Sequence, residues 1–239
     1  MKKLLISVAL VATALSVNAQ KFKIGLGGAF NSTWLMNKNV FDANDQLDVA
    51  MSWGGSFGLK TQYYFNEKVG LELGIMSSGH NQKYDLNDGN DELTLKLRYM
   101  DVPLLLRVGG DKGGYFEFGP QFSFLSSAKD VNSDDDSKNV KGTLNSMNVG
   151  IAIGFGADVD LSESFTLTAG MRIGYGFSDV TKKYSNTIDL AQDADKMAGA
   201  TYWAQFKEAD ATQGFKYKST NRLWGGIHLG ILYTLPTGK

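Results

Sequence analysis

The chain of 239 residues has no cysteine and only three prolines. Without cysteine there is no disulfide framework, no thiolate nucleophile, no thiolate metal site and no cysteine to carry a lipid. Beyond its first twenty residues it has no long apolar run, which excludes helical membrane spans there. It also has no basic excess. The formal charge is −1, falling to −3 if Lys2 and Lys3 are removed, and that mild acidity excludes the electrostatic footprint of a nucleic-acid binder.

The first residues depart from this pattern. Lys2 and Lys3 precede an apolar run from Leu4 to Val17, followed by the small-residue site Val17-Asn18-Ala19. This is the pattern of a secretory signal peptide over residues 1–19, leaving 20–239 as one domain. The run is too short to span a hydrocarbon core of ~30 Å comfortably.

What the chain has in quantity is glycine, 28 residues, and aromatics, arranged with a period of two. In Ser52 to Phe65 the residues Trp53, Gly55, Phe57, Leu59, Thr61, Tyr63 and Phe65 share one phase, and small or polar residues fill the other. Such alternation marks a strand with two unlike faces. Seven further segments repeat it: Phe22 to Phe30, Val69 to Met76, Leu93 to Val108, Phe116 to Phe124, Met147 to Gly156, Phe165 to Phe177 and Arg222 to Leu235. The fourth segment changes phase, from Leu93, Leu95, Leu97 and Tyr99 to Val102, Leu104, Leu106 and Val108. A β-bulge near Met100 and Asp101 would restore the facing.

The connections are sorted as well. Those around Asn66 to Lys68, Gly109 to Gly113 and Asp160 to Ser164 are brief, and the alternate ones are long or polar, the last running from about Ser178 to Lys216. Short turns at one end and long loops at the other, with both termini at the short end, fit an outer-membrane barrel with periplasmic termini. The composition of the faces agrees. The polar phase is mostly Gly, Ser, Ala, Asn and Thr rather than the dense charge of a watered surface. Aromatics gather at strand ends, with Phe65, Phe165 and Tyr233 near the turns and Trp53, Phe124, Tyr175 and Phe177 near the loops. Two belts of this kind are expected at two membrane interfaces. The expected fold is therefore all-β, an eight-stranded antiparallel up-and-down transmembrane barrel with its apolar face in outer-membrane lipid. A soluble lipocalin-like barrel would reverse the faces.

Several stretches carry a family resemblance: YMDVPLLLRV from Tyr99, FEFGPQFSFLSSA from Phe116, the Gly-rich KIGLGGAFNST, and GGIHLGILYTL near the end. Together they resemble the outer-membrane β-barrel domain of many Bacteroidota proteins, often called PorT-like. The resemblance implies an outer-membrane location, and accessory components of a secretion machine are among the proteins it points to. The tail Pro236 to Lys239 departs from the pattern, since barrels of this kind usually finish on or near an aromatic, here Tyr233.

Ionisable residues of the inward phase are Lys60, Glu72, Arg98, Glu117, Arg172, Arg222 and His228. Eight strands leave an interior just wide enough for side chains, so these are expected to pair into a polar plug. The sharper alternative is a narrow ion path lined by the same groups. His80 and His228 lack a third ligand for a metal, and Ser77 and His80 fall on opposite faces, so no metal site, cofactor or catalytic dyad is expected. The acidic run Asn132 to Asp136 lacks the spacing and glycine of a calcium loop. Asp88-Gly89 suits a tight hairpin turn. In the last loop Ile188, Ala191, Ala194, Ala198, Tyr202 and Ala209 fit a helical stripe loosely, and Tyr202, Trp203 and Phe206 form an aromatic cluster suited to a partner contact. The expectation is a non-enzymatic structural or interaction protein of the envelope. A small porin and a lipid-modifying enzyme are its rivals.

Overall fold

The computed structural model describes residues 21–38, 47–86, 91–110, 112–132, 134–182 and 218–236. The signal segment, the Asp88-Gly89 turn and the loop holding Tyr202, Trp203 and Phe206 lie outside them. The strands are β1 (Lys21–Asn37), β2 (Leu47–Ala50), β3 (Trp53–Tyr64), β4 (Val69–Leu86), β5 (Asp91–Gly109), β6 (Gly114–Val131), β7 (Ser137–Asn139), β8 (Met147–Asp160), β9 (Phe165–Gly176) and β10 (Thr220–Thr234).

Every pairing is antiparallel, and β1 bonds to both β3 and β10. With β4 bonded to β5 the sheet closes into a ring of eight wall strands. The small strands β2 and β7 extend this wall at the loop end, on β4 and β6. The start of β1 and the end of β10 sit at the turn end, where Lys23 pairs with Thr234. Closure removes the sheet edges that would otherwise invite aggregation.

The brief connections are tight turns. Asn66 Oδ1 accepts the backbone N–H groups of Lys68 and Val69, at 2.9 and 2.8 Å, fixing the turn between β3 and β4. Gly113, at φ 80°, ends the turn into β6 in a conformation that suits glycine.

Through the lower part of the wall, toward the turns, the alternation sorts as expected. Leu26, Phe30, Phe57, Leu59, Ile75, Ile153, Phe155, Met171, Ile173, Ile227 and Leu229 all stand exposed on the outer face. So do the belt residues Phe65, Phe165 and Tyr233 near the turns and Trp53, Phe124, Tyr175 and Phe177 near the loops. An apolar band around a whole ring is stable in lipid and not in water.

One expectation fails. β5 keeps a single phase over its whole length: Leu95, Leu97, Tyr99, Asp101, Pro103, Leu105 and Arg107 all point inward and are buried. β5 itself has no bulge at Met100 and Asp101. The slip is in β6, where Ser126 is the extra residue as the register passes from Arg98↔Ser127 to Tyr99↔Leu125. Below it Leu125, Ser123 and Gln121 point inward; above it Ala128 and Asp130 do. The apolar residues of β5 change face because their surroundings change, with no break in the strand.

Above that level the wall formed by β4, β5 and β6 is inverted. Leu35, Tyr84, Leu95, Leu97, Tyr99, Leu125 and Ala128 form an apolar cluster inside the wall, completed by Val140, Leu144 and Val180 from the loops. The loops are brought there by backbone bonds. Val140 N–H donates to Ala128 O at 3.1 Å, Asn145 N–H to Val180 O at 2.9 Å, and Val180 N–H to Thr220 O at 2.8 Å. Outside, the same levels of β4 to β6 carry Asn81, Lys83, Lys96, Arg98 and Lys129.

Candidate functional site

The interior has three layers. The lowest, toward the turns, is ionic. Arg172 on β9 donates to Glu117 Oε1 from Nη2 at 2.6 Å and from Nε at 2.8 Å, and Nη2 also donates to Glu72 Oε1 at 2.9 Å. Lys60 lies 3.2 Å from Glu72, and Gln62 donates to the other Glu72 oxygen at 2.8 Å. Arg107 reaches Asp158 at 2.9 Å and Glu72 at 3.5 Å, with its guanidinium 3.5 Å from the centre of the Tyr115 ring. Three cations, Lys60, Arg107 and Arg172, thus face three carboxylates, Glu72, Glu117 and Asp158. Such neutrality is what allows charge to stay buried.

His228 joins this layer through Tyr115, whose hydroxyl lies 2.8 Å from Nε2 and accepts from Thr168 at 3.3 Å. The wall makes room for these groups with glycine. A Cβ at Gly154 would lie 2.7 Å from Glu117 Oε1, and one at Gly174 would strike the Trp224 indole.

The middle layer is smaller. His80 Nε2 lies 2.9 Å from Asp101 Oδ2, and its Nδ1 lies 3.0 Å from Thr33 Oγ1. In the neutral tautomer that donates Nε2–H to the carboxylate, Nδ1 accepts the Thr33 hydroxyl. Arg222 donates to Ser123 Oγ at 2.6 Å, approaches Asp101 at 3.9 Å and stacks 4.5 Å from the Tyr99 ring centre. Between the two polar layers a cavity of about 40 Å³ is bounded by Lys60, His80, Asp101, Arg172, Trp224 and His228. It has room for a few water molecules. The third layer is the apolar cap of Leu97, Tyr99, Leu125, Leu144 and Val180.

The expected lumen set therefore divides. Lys60, Glu72, Glu117, Arg172, Arg222 and His228 are buried inside or line the cavity. Arg98 does not belong to the set. It is exposed on the outer face because β5 keeps its phase, and Leu97 and Tyr99 take the interior beside it. Three members were missed, Asp101, Arg107 and Asp158, and the first two share a cause. Both belong to the inward phase once β5 is read as unbroken, and Arg107 sits between the outward Leu106 and Val108 as Arg172 sits between Met171 and Ile173.

The hydroxyl, imidazole and carboxylate of Thr33, His80 and Asp101 stand in the order of a nucleophile relay. Thr33 is 1% exposed, and the neighbouring cavity holds only water-sized guests. Ser77 is on the outer face and takes no part. Among the described residues no group of three His, Asp or Glu side chains is placed to hold a metal. In the acidic run Asp136 N–H donates to Asn132 Oδ1 at 2.8 Å and Asp135 sits at φ 63°, so the run forms the tight turn between β6 and β7.

A closed ring with an apolar outer band and a neutralised polar interior defines an integral β-barrel membrane protein. Residues 18–195 match the outer membrane protein beta-barrel domain, and the chain belongs to that family. It is an outer-membrane β-barrel protein. No curated protein matches it by sequence. Similar solved structures include the Neisserial surface protein A, 10% identical over 91% of this chain and 100% of that one, with a TM-score of 0.41. Another is OprG from Pseudomonas aeruginosa, 16% identical over 92% and 97%, with a TM-score of 0.40. The attachment invasion locus protein Ail of Yersinia pestis is 11% identical over 89% and 98%, with a TM-score of 0.37.

Proposed function

We propose that this chain is a non-enzymatic structural or interaction protein of the outer membrane that works through its loops and its lipid-facing wall, as an accessory subunit of an envelope or secretion complex does. The observation that carries this reading is the filled interior, with two polar layers, a cavity of about 40 Å³ and an apolar cap in series along the barrel axis. Surfaces outside the lumen remain for contact with other molecules, and the loop of Tyr202, Trp203 and Phe206 is the chosen partner site. The PorT-like resemblance of Tyr99 to Val108 and Phe116 to Ala128 favours the same role. In this reading residues 1–19 are removed on export and both ends of the barrel are periplasmic.

The first test is conductance of the purified protein in a planar bilayer. Silence is expected, and steady openings that vanish in Arg172→Gln would instead establish a porin. An effect of overproduction on membrane lipids, lost with His80→Asn, would establish an enzyme. Orientation is read with protease on intact cells. Cleavage within Lys129 to Lys141 or Lys182 to Lys216 is expected while Lys68 and Lys112 are spared; the reverse pattern would place the loops in the periplasm.

A further inference from the structure

The outer face of the inverted region holds a feature that barrel closure does not require. Lys96 on β5 pairs directly with Lys129 on β6, with Asn81 of β4 on its other side. Like charges directly opposite one another destabilise a sheet. Arg98 stands two residues nearer the membrane, opposite Gly79 and Ser127, and Lys141 adds a fourth cation, its Nζ donating to Ser126 O at 2.9 Å. All four are exposed. Among the described residues no carboxylate lies within ion-pair distance of Lys96, Arg98 or Lys129; nearby Glu92 is taken by Lys83 at 3.1 Å. Asp135, in the β6–β7 turn, shares a groove with Lys96.

Their height is specific. The outward apolar residues of β5 and β6 end at Met100 and Phe124. At about 3.3 Å per residue, Arg98 lies roughly 7 Å and Lys96 roughly 13 Å further along the strand, where hydrocarbon gives way to headgroups. On the opposite wall the same zone carries Trp34, Met36, Tyr175 and Phe177 in place of cations.

We propose that Lys96, Arg98, Lys129 and Lys141 form a binding site for the phosphate groups of lipid headgroups in the leaflet at the loop end. The phosphate supplies the counter-charge that the Lys96 and Lys129 pair lacks, and the acyl chains lie along Leu73, Ile75, Met100 and Phe124 below. Guanidinium and ammonium donors stand at neighbouring positions of one outer face, and together they offer the chemistry that suits a doubly charged phosphate monoester. This inference goes beyond the function proposed above and needs neither its partner nor its orientation.

The test uses the full mature chain in nanodiscs of phosphatidylcholine doped with phosphatidic acid, with retained lipids counted by native mass spectrometry. Phosphatidic acid should be enriched over phosphatidylcholine. The triple variant Lys96→Gln, Arg98→Gln, Lys129→Gln should lose the enrichment, since each cation near an anionic surface contributes about 5-fold and three contribute on the order of a hundredfold. Lys21→Gln with Lys68→Gln and Lys112→Gln, at the turn end, should keep it. Heat-dependent gel migration equal to that of the parent certifies that each variant is folded. Enrichment unchanged in the first variant, or lost equally in the second, would overturn the site. Displacement of the lipid by inorganic phosphate at matched ionic strength would overturn the lipid as its source.

Discussion

The lower barrel and its loop-end extension are built from the same strands with opposite contents. In the lower part Phe155, Ile173 and Leu229 face out, and Glu72, Glu117 and Arg172 face in. In the upper part Leu97, Tyr99 and Leu125 face in, and Lys96, Arg98 and Lys129 face out. The backbones of β4 and β5 run through the change without a break, and only β6 marks it, with the bulge at Ser126. Elsewhere on this wall the side chains alone record it. In lipid the apolar face belongs outside and the interior must satisfy itself; in water the ordinary rule of an apolar core returns.

The contrast can be broken most severely at Ser126 and Ser127. Deleting both removes the bulge and one further residue and, by the period of two, turns Ala128 and Asp130 outward and Lys129 inward. Hydrogen exchange should show loss of protection in β6 above Leu125 and in β7, with β8 and β9 unaffected. Next comes Arg172→Leu, which leaves Glu72 and Glu117 sharing fewer cations in the lower layer. Breaking a buried pair from one side costs about 3–5 kcal/mol, readable as a lower urea midpoint in bilayers. In the cap, Leu97→Ala should cost about 2–5 kcal/mol as a cavity in a packed core. A matched pair of substitutions sharpens the boundary. Leu104→Arg places charge on the lipid face and should cost about 2–4 kcal/mol, whereas Arg98→Leu, on the watered face of the same strand, should change stability by less than about 0.5 kcal/mol. Ser52→Ala, which loses one hydroxyl bond to Asn81 O at 2.6 Å, falls between these two at about 1 kcal/mol.

Much of this was legible beforehand. Strand positions, the sorting of turns and loops, both aromatic belts and the inward facing of Lys60, Glu72, Glu117, Arg172, Arg222 and His228 follow from the alternation alone. What was misread is the inversion. Period-two patterning says which residues share a face and is silent about which solvent that face meets. An apolar run above the membrane boundary therefore looked like a strand that had slipped, and Arg98 went inside by mistake. The true bulge was hidden because Ser126 and Ser127 carry no hydropathy contrast. Pairings such as Arg172 with both Glu72 and Glu117 depend on register between distant strands, which local sequence does not encode. The closing of the cap by Val140, Leu144 and Val180 is equally non-local.

The absence of native cysteine allows the inversion to be measured directly. Single cysteines at Lys96, Leu97, Arg98, Met100, Leu104 and Leu106 would each carry a spin label in bilayers, with collision rates read against oxygen, which favours lipid, and a water-soluble nickel chelate. The inverted account predicts oxygen-dominated collisions at 100, 104 and 106, nickel-dominated collisions at 96 and 98, and little of either at 97. Oxygen-dominated collisions at 97 with a shielded 98 would contradict it and restore a phase change within β5.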